Sequence, residues 1–235
     1  SVAVPAQAFE FKDFPDVSES AWYYECVGWL SALEIINGDT DGNFYPDRSI
    51  KRSEFIKMIS IATELIASPT PLRGVHWAEP CWLMCVENGL LDYNGKNIIP
   101  LDFDELEKPI TRYEMAVIVA NAMDSVMMEN TVEISSPELA ITDYSSVPSG
   151  YRGYVEQAYG KGVITGFTDG SFAGDETLTR AQAAMAVYRL LWNNERVVPN
   201  FDYTVIEKEE PTAPEIIPSG TPFATYVQEN GLLNA

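Results

Sequence analysis

Asn37-Gly38-Asp39-Thr40-Asp41-Gly42-Asn43-Phe44-Tyr45-Pro46, followed by Ile50-Lys51-Arg52-Ser53-Glu54, is the stretch on which the reading of this chain turns, because its pattern occurs again. Asp41-Gly42-Asn43-Phe44 returns as Asp169-Gly170-Ser171-Phe172, and the same spacing carries Gly38 to Gly166 and Arg52 to Arg180. Between them Ile110-Thr111-Arg112-Tyr113-Glu114 stands where the flanking copies have Ile50-Lys51-Arg52-Ser53-Glu54 and Leu178-Thr179-Arg180-Ala181-Gln182. Repetition of this kind marks an array of one supersecondary unit.

Working outward from the turn, each copy opens on an aromatic and a helical stripe. The stripes are Trp22, Cys26, Leu30 and Leu33; Trp77, Cys81 and Cys85; and Tyr151, Tyr154, Val155, Ala158 and Tyr159. The period is 3.6 and not 2. The stripe stops at Gly89-Leu90-Leu91 and Gly162-Val163-Ile164, with Glu34-Ile35-Ile36 in the equivalent place. Glycine suits the left-handed residue that ends a helix. The Asp-Gly turn then reverses the chain: Gly42 and Gly170 tolerate positive φ, and Asp41 and Asp169 bond their own backbone. A second helix follows, apolar at Phe55, Met58, Ile59, Ala62, Leu65 and Ile66; at Met115, Ile118, Val119, Ala122, Met123 and Val126; and at Ala183, Ala186, Val187, Leu190 and Leu191. Each of these helices is expected to be one-faced, so the three should pack together.

The expected fold is therefore mainly α: three helix-turn-helix repeats packed as a pseudo-threefold bundle with short extended segments, and an irregular Pro-rich tail. The copies span residues 9–68, 69–130 (divergent, with an acidic insert around Asp102 to Glu107) and 131–196. Residues 1–8, with Ala6-Gln7-Ala8 after Val2 to Val4, read as the remnant of an export signal. Residues 197–235 read as an acidic, Pro-rich tail in which Tyr226 to Leu233 echoes Cys85 to Leu91, as a truncated first-helix fragment or a docking helix.

Composition narrows the function. A formal charge of −20 repels phosphate backbones and leaves no basic stripe, which argues against nucleic acid. No apolar run is long enough to span a bilayer. Cys26, Cys81 and Cys85 are too sparse for a disulfide framework, and with His76 the single histidine they read as buried small hydrophobes and not as a metal site. Asp39 to Asn43 reads as a tight turn, since Gly42 falls at the wrong place for a calcium loop. No cofactor is indicated. There is no Gly-x-Ser-x-Gly elbow or phosphate loop, and no pair of acids stands out for hydrolysis, so the chain reads as non-catalytic.

Aromatic, helix, Gly-(Ile/Leu)-(Ile/Leu), Asp-Gly-x-Phe, then Ile-Thr-Arg-Ala-Glu and a second helix resembles the S-layer homology repeat of bacterial surface proteins. The likeness covers about residues 9 to 195 and is strongest in the first and third copies. It implies a monomer with internal pseudo-threefold symmetry on the outside of a bacterium, in the cell wall or S-layer. There it would bind an anionic or pyruvylated secondary cell-wall polysaccharide non-covalently in grooves between repeats. The alternative is a surface scaffold whose grooves have drifted and which binds another surface protein.

Carried onto this sequence, the likeness makes Arg52, Arg112 and Arg180 the anion contacts, which suits a guanidinium fork. Lys51 replaces the usual threonine and adds a charge beside Arg52, and Gln182 replaces the usual glutamate, so groove chemistry should differ between copies. Thr111 with Glu114, and Thr179 with Gln182, also fit a capping box that needs no ligand. Trp22, Trp77 and Tyr151, at the helix starts, are either core residues or flat faces for a sugar ring, and count among the groove candidates.

Overall fold

The computed structural model describes residues 13–64 and 73–208. The chain runs α1 (Tyr24–Ala32), α2 (Arg52–Ala62), α3 (Glu79–Glu87), a short hairpin of β1 (Asp92–Tyr93) and β2 (Lys96–Asn97), then α4 (Phe103–Glu107) and α5 (Arg112–Asn121). It continues through β3 (Thr131–Ile134), α6 (Pro137–Ala140), α7 (Ser149–Gly160), α8 (Arg180–Leu191) and β4 (Tyr203–Ile206). The protein is mainly helical. The export-signal remnant, Leu65, Ile66 and the Tyr226 to Leu233 segment lie outside the described residues.

The helix starts form where the sequence places them. Thr111 Oγ1 accepts from Glu114 N at 3.2 Å while Glu114 accepts from Thr111 N at 3.0 Å, and Thr179 and Gln182 repeat the pair at 3.2 and 3.0 Å. At α2 only half survives: Lys51 N donates to Glu54 at 2.9 Å, because lysine has no oxygen to cap with. Just before these three helix starts their segments meet. Ile50 N donates to Leu178 O at 3.0 Å, Leu178 N to Ile110 O at 3.4 Å, and Ile110 N to Ile50 O at 3.0 Å, a closed ring of backbone hydrogen bonds. The three side chains at the ring are buried, so their backbone groups find partners only in each other.

The helices pair differently from expectation. The second helices do not form the main contact with one another. Instead α2 packs on α3, α5 on α7 and α8 on α1, each second helix covering the first helix of the next copy, with α8 returning to the start. A single hairpin buries too little apolar surface, and exchanging partners round a ring covers all six faces. Also corrected is the one-faced reading of α5, where Ala116, Val117 and Ala120 are buried along with Met115, Ile118 and Val119. The apolar stripe and the opposite side are both covered there.

The described part of the tail, residues 197–208, departs from the irregular reading as well. Val197 N donates to Gly162 O at 3.1 Å, and β4 pairs antiparallel with β3 from Thr131↔Ile206 to Ile134↔Tyr203. Tyr-Thr-Val-Ile is a good β-former, a signal that the flanking prolines concealed.

Gly89 and Gly162 end their helices at φ 74° and 71°, and Glu34, in the equivalent place, takes φ 59°. A left-handed residue with a Cβ is strained by about 1–2 kcal/mol, part of which glycine returns through a freer unfolded chain. Glu34→Gly is expected to stabilise by about 0.5–1 kcal/mol in urea denaturation; a loss of stability would show that the Glu34 side chain has a role of its own.

Candidate functional site

Arg180 extends from the start of α8 into the turn of the first copy. Its Nε donates to Phe44 O at 2.8 Å, one Nη to Asn37 O at 3.0 Å, and its guanidinium lies 4.9 Å from the Phe44 ring centre. Arg112 does the same to the third copy, with Nε to Phe172 O at 2.6 Å, Nη2 to Thr165 O at 2.7 Å, and Phe172 at 4.8 Å. Both arginines therefore brace the turn of a neighbouring copy through carbonyls left free by the Asp-Gly loop. Burial pushes the Arg112 guanidinium down to about 10, opposed by the nearby Asp143 carboxylate, so it stays charged at neutral pH.

Two acids that the motif reading passed over hold these loops from the other side. Asp16 accepts from Phe44 N at 2.8 Å and Tyr45 N at 2.6 Å, and Asp143 from Phe172 N at 2.7 Å and Ala173 N at 2.8 Å. Tyr45 and Ala173 are left-handed at φ 58° and 50°, a conformation these paired bonds hold in place. Each acid precedes its turn by almost thirty residues, too far for a local motif to reveal. The turns themselves form as expected: Gly42 and Gly170 sit at φ 87° and 81°, and Asp41 and Asp169 accept from the amides of Asn43 (3.0 Å) and Ser171 (2.9 Å).

Two grooves open beside the braces. One, of about 340 Å³, is lined by Ile35 to Asp39, Arg48, Glu54, Lys57 and Met58 of the first copy, with Trp77 from the second and Arg180 from the third. The other, of about 450 Å³, is lined by Val163 to Thr168, Gln182, Met185, Ala186 and Arg189 of the third copy, with Trp22 from the first and Arg112 from the second. The parts correspond one for one: loop and second helix from one copy, aromatic from the next, arginine from the one before. Trp22 and Trp77 precede their helices and stand 61% and 52% exposed, so neither is a core residue.

The third such position is filled. Tyr151, inside α7, stacks against Tyr93 at 4.7 Å and Tyr113 at 4.6 Å. Arg52 is tied down by the acidic insert and by α5, with Nη1 2.5 Å from Glu105 and Nε 3.1 Å from Glu114. Lys51 turns away to Glu107 at 2.5 Å, which also bonds His76 at 2.8 Å. Of the seven candidate ligand contacts, then, Trp22 and Arg112 share one groove, Trp77 and Arg180 share the other, and Arg52, Lys51 and Tyr151 are engaged within the protein.

Charge separates the two open grooves. Around Trp77, Glu54 pairs with Arg48 at 2.5 Å and Arg180 at 3.1 Å, and Asp39 is also present. Around Trp22 the place of Glu54 is taken by Gln182, and no acid lines the wall among the described residues. The cysteines take no part: burial pushes the Cys26 thiol up to about 12 and the Cys85 thiol upward as well, which keeps both protonated and inert.

The S-layer homology domain family matches this chain at residues 13–56 and 140–184. Amylopullulanase of Thermoanaerobacterium thermosulfurigenes is 27% identical over 190 residues, covering 78% of this chain and 10% of that protein. The Surface-layer 125 kDa protein of Lysinibacillus sphaericus is 30% identical over 171 residues, covering 71% of this chain and 13% of that protein. Outer membrane protein SlpA of Thermus thermophilus is 40% identical over 67 residues, 28% of this chain and 7% of that protein. The chain spans 10 to 19% of the length of the first curated relatives it matches. The shared part therefore recurs in proteins with quite different names.

Proposed function

The chain carries S-layer homology domains at residues 13–56 and 140–184 and acts at the bacterial cell surface, and from that premise we propose that it is a non-catalytic anchor holding secondary cell-wall polysaccharide in grooves between its copies. The observation that carries this reading is the pair of matching grooves, each with an exposed tryptophan and a guanidinium brought in from two other copies. A flat indole face suits the apolar face of a sugar ring, and a guanidinium suits an acidic or pyruvylated substituent. In this reading the middle copy is a true third repeat and the whole a pseudo-threefold monomer, supported by the Ile50–Leu178–Ile110 ring. The absence of catalysis is supported by the relatives: a segment common to an amylopullulanase and a surface-layer protein is a poor place for either one's particular activity. Enzymatic work in such proteins would lie in the parts this chain does not cover.

The alternative, a scaffold binding another surface protein, draws on the filled position around Tyr151, where one groove has been given over to packing. Sedimentation with walls of the source bacterium, before and after chemical removal of the secondary polymer, separates the two. Trp22→Ala with Trp77→Ala removes exposed rings only, so the fold should stand. Wall binding that vanishes with the polymer and weakens about tenfold or more in the double variant supports the anchor. Binding indifferent to both would move the assignment to the scaffold.

A further inference from the structure

The short sheet formed by β3 and β4 is closed along one edge and open along the other. On the closed side Gln157, from α7, gives its whole amide to one residue: Val132 N donates to Gln157 Oε1 at 2.9 Å, and Gln157 Nε2 donates to Val132 O at 2.5 Å. Val132 therefore turns its backbone groups away from Val205, its partner across the ladder. Antiparallel pairs alternate between bonded and unbonded, and the bond from Ser135 N to Asp202 O at 3.1 Å sets the same phase. The N–H and C=O of Tyr203 and Val205 consequently point away from β3, and no hydrogen bond from elsewhere among the described residues reaches them.

Natural edge strands are protected by a proline, a charge or a bulge. β4 has none of these: Tyr203-Thr204-Val205-Ile206 pairs in unbroken register, and all four residues are exposed. Beside it lies a cavity of about 350 Å³ that shares no lining residue with either groove, with apolar walls from Val132, Val198, Tyr203 and Val205 and charge from Lys161, Arg196 and Glu129. Arg196 is fully engaged, forking to Glu129 at 2.8 and 2.6 Å and donating from Nε to Arg189 O at 2.9 Å. Lys161 is not. Its side chain is only 10% exposed, yet its bond to Glu129 is 3.2 Å long and goes to the oxygen that already accepts from Arg196. Burial pushes its ammonium down, Glu129 opposes this, and Arg196 and Lys208 push it down further. Lys208 is itself paired with Asp124 at 2.8 Å. The other acids beside the strand, Glu133, Asp202 and Glu207, are exposed and do not line the cavity.

We infer that the free edge of β4 and the cavity beside it take an extended peptide of another protein, which adds as a third strand and places an acidic side chain against Lys161. Strand addition supplies affinity through main-chain bonds to Tyr203 and Val205, and side chains at alternate positions supply selectivity. Charge complementarity picks the occupant. The cavity wall carries two cations to one acid, in a protein whose formal charge is −20, so an acid is favoured there and a base is not. A second copy of this chain is a poorer occupant, because it brings another −20 with it. The partner residues that face the cavity lie two apart along the added strand, and the walls around Tyr203 and Val205 suit apolar neighbours on either side of the acid. The site lies outside both grooves, so wall anchoring neither requires it nor depends on it.

The test uses the full chain, isotopically labelled and titrated in NMR with acetyl-Ser-Val-Thr-Glu-Thr-Val-Ser-amide, whose valines and glutamate share one face, and with the same peptide carrying glutamine for glutamate. The acidic peptide is expected to bind with a Kd below about 1 mM, to slow hydrogen exchange at the Tyr203 and Val205 amides, and to bind about threefold or more tighter than the glutamine peptide. Lys161→Gln, which leaves Glu129 its fork to Arg196, should erase that preference. Val205→Pro removes an N–H that β3 does not use, so β3 and β4 stay paired while the peptide binds about tenfold or more weakly. Slow exchange at Tyr203 and Val205 in the free protein would mean that another part of this chain already covers the edge, and signals there that move with protein concentration would put a second copy on it. Either result overturns the inference. So does a Kd weaker than about 1 mM, a preference for glutamate that is smaller than about threefold or survives Lys161→Gln, or a Val205→Pro variant that binds as its parent does.

Discussion

Arg112→Ala is expected to cost about 3–4 kcal/mol of stability. Arg112 is 5% exposed and holds the carbonyls of Phe172 and Thr165 with the rings of Phe167 and Phe172 against it. Truncation strands two carbonyls in a low-dielectric setting, at about 1–3 kcal/mol each, and adds the loss of two cation–π contacts. Removing a buried charge returns some of this, since burial itself opposes the guanidinium. The same argument says lysine will not rescue, because an ammonium cannot fork to two carbonyls. Urea denaturation decides the matter: a loss below about 1 kcal/mol would mean that the brace is dispensable. An alanine at this position accordingly reports on folding before it reports on ligand.

Gly174→Ala should cost about 3 kcal/mol. A Cβ there would lie 2.0 Å from two ring atoms of Tyr113. The ring has no easy retreat: Tyr113 N donates to Gly174 O at 2.9 Å, and the ring is stacked on Tyr151, which is stacked on Tyr93. Either the ring column shifts or the start of α5 moves off the third copy. In a Tyr113→Ala background the same substitution should cost less than about 1 kcal/mol, because the obstacle is gone. Equal costs in both backgrounds would place the strain in the backbone and not in the ring.

The helices were legible because their apolar period and capping residues are local. Trp-x-x-x-Cys stripes, Thr111-x-x-Glu114 and the Asp-Gly turns act within a few residues, and each formed where its residues predict. Part of the expected site was legible for the same reason: the recurring arginine is read by its place in the repeat. What it touches was not, since its carbonyl partners lie more than fifty residues away in one case and more than a hundred in the other. Asp16 and Asp143 were missed because nothing near them in the chain announces a role.

The amino-acid sequence alone determined that this is a mainly helical chain of repeated units with a resemblance to surface-anchoring repeats, because periodicity, glycine at turns and helix caps are short-range physics. Only the tertiary structure decided which copy lends its arginine and its tryptophan to which groove, that the Tyr151 position is filled, and that Gln182 leaves one groove without an acid wall. Those outcomes depend on the order in which second helices cover the first helices of their neighbours. A ring closed by three backbone hydrogen bonds between distant segments fixes that order, and no single segment carries the information to specify it.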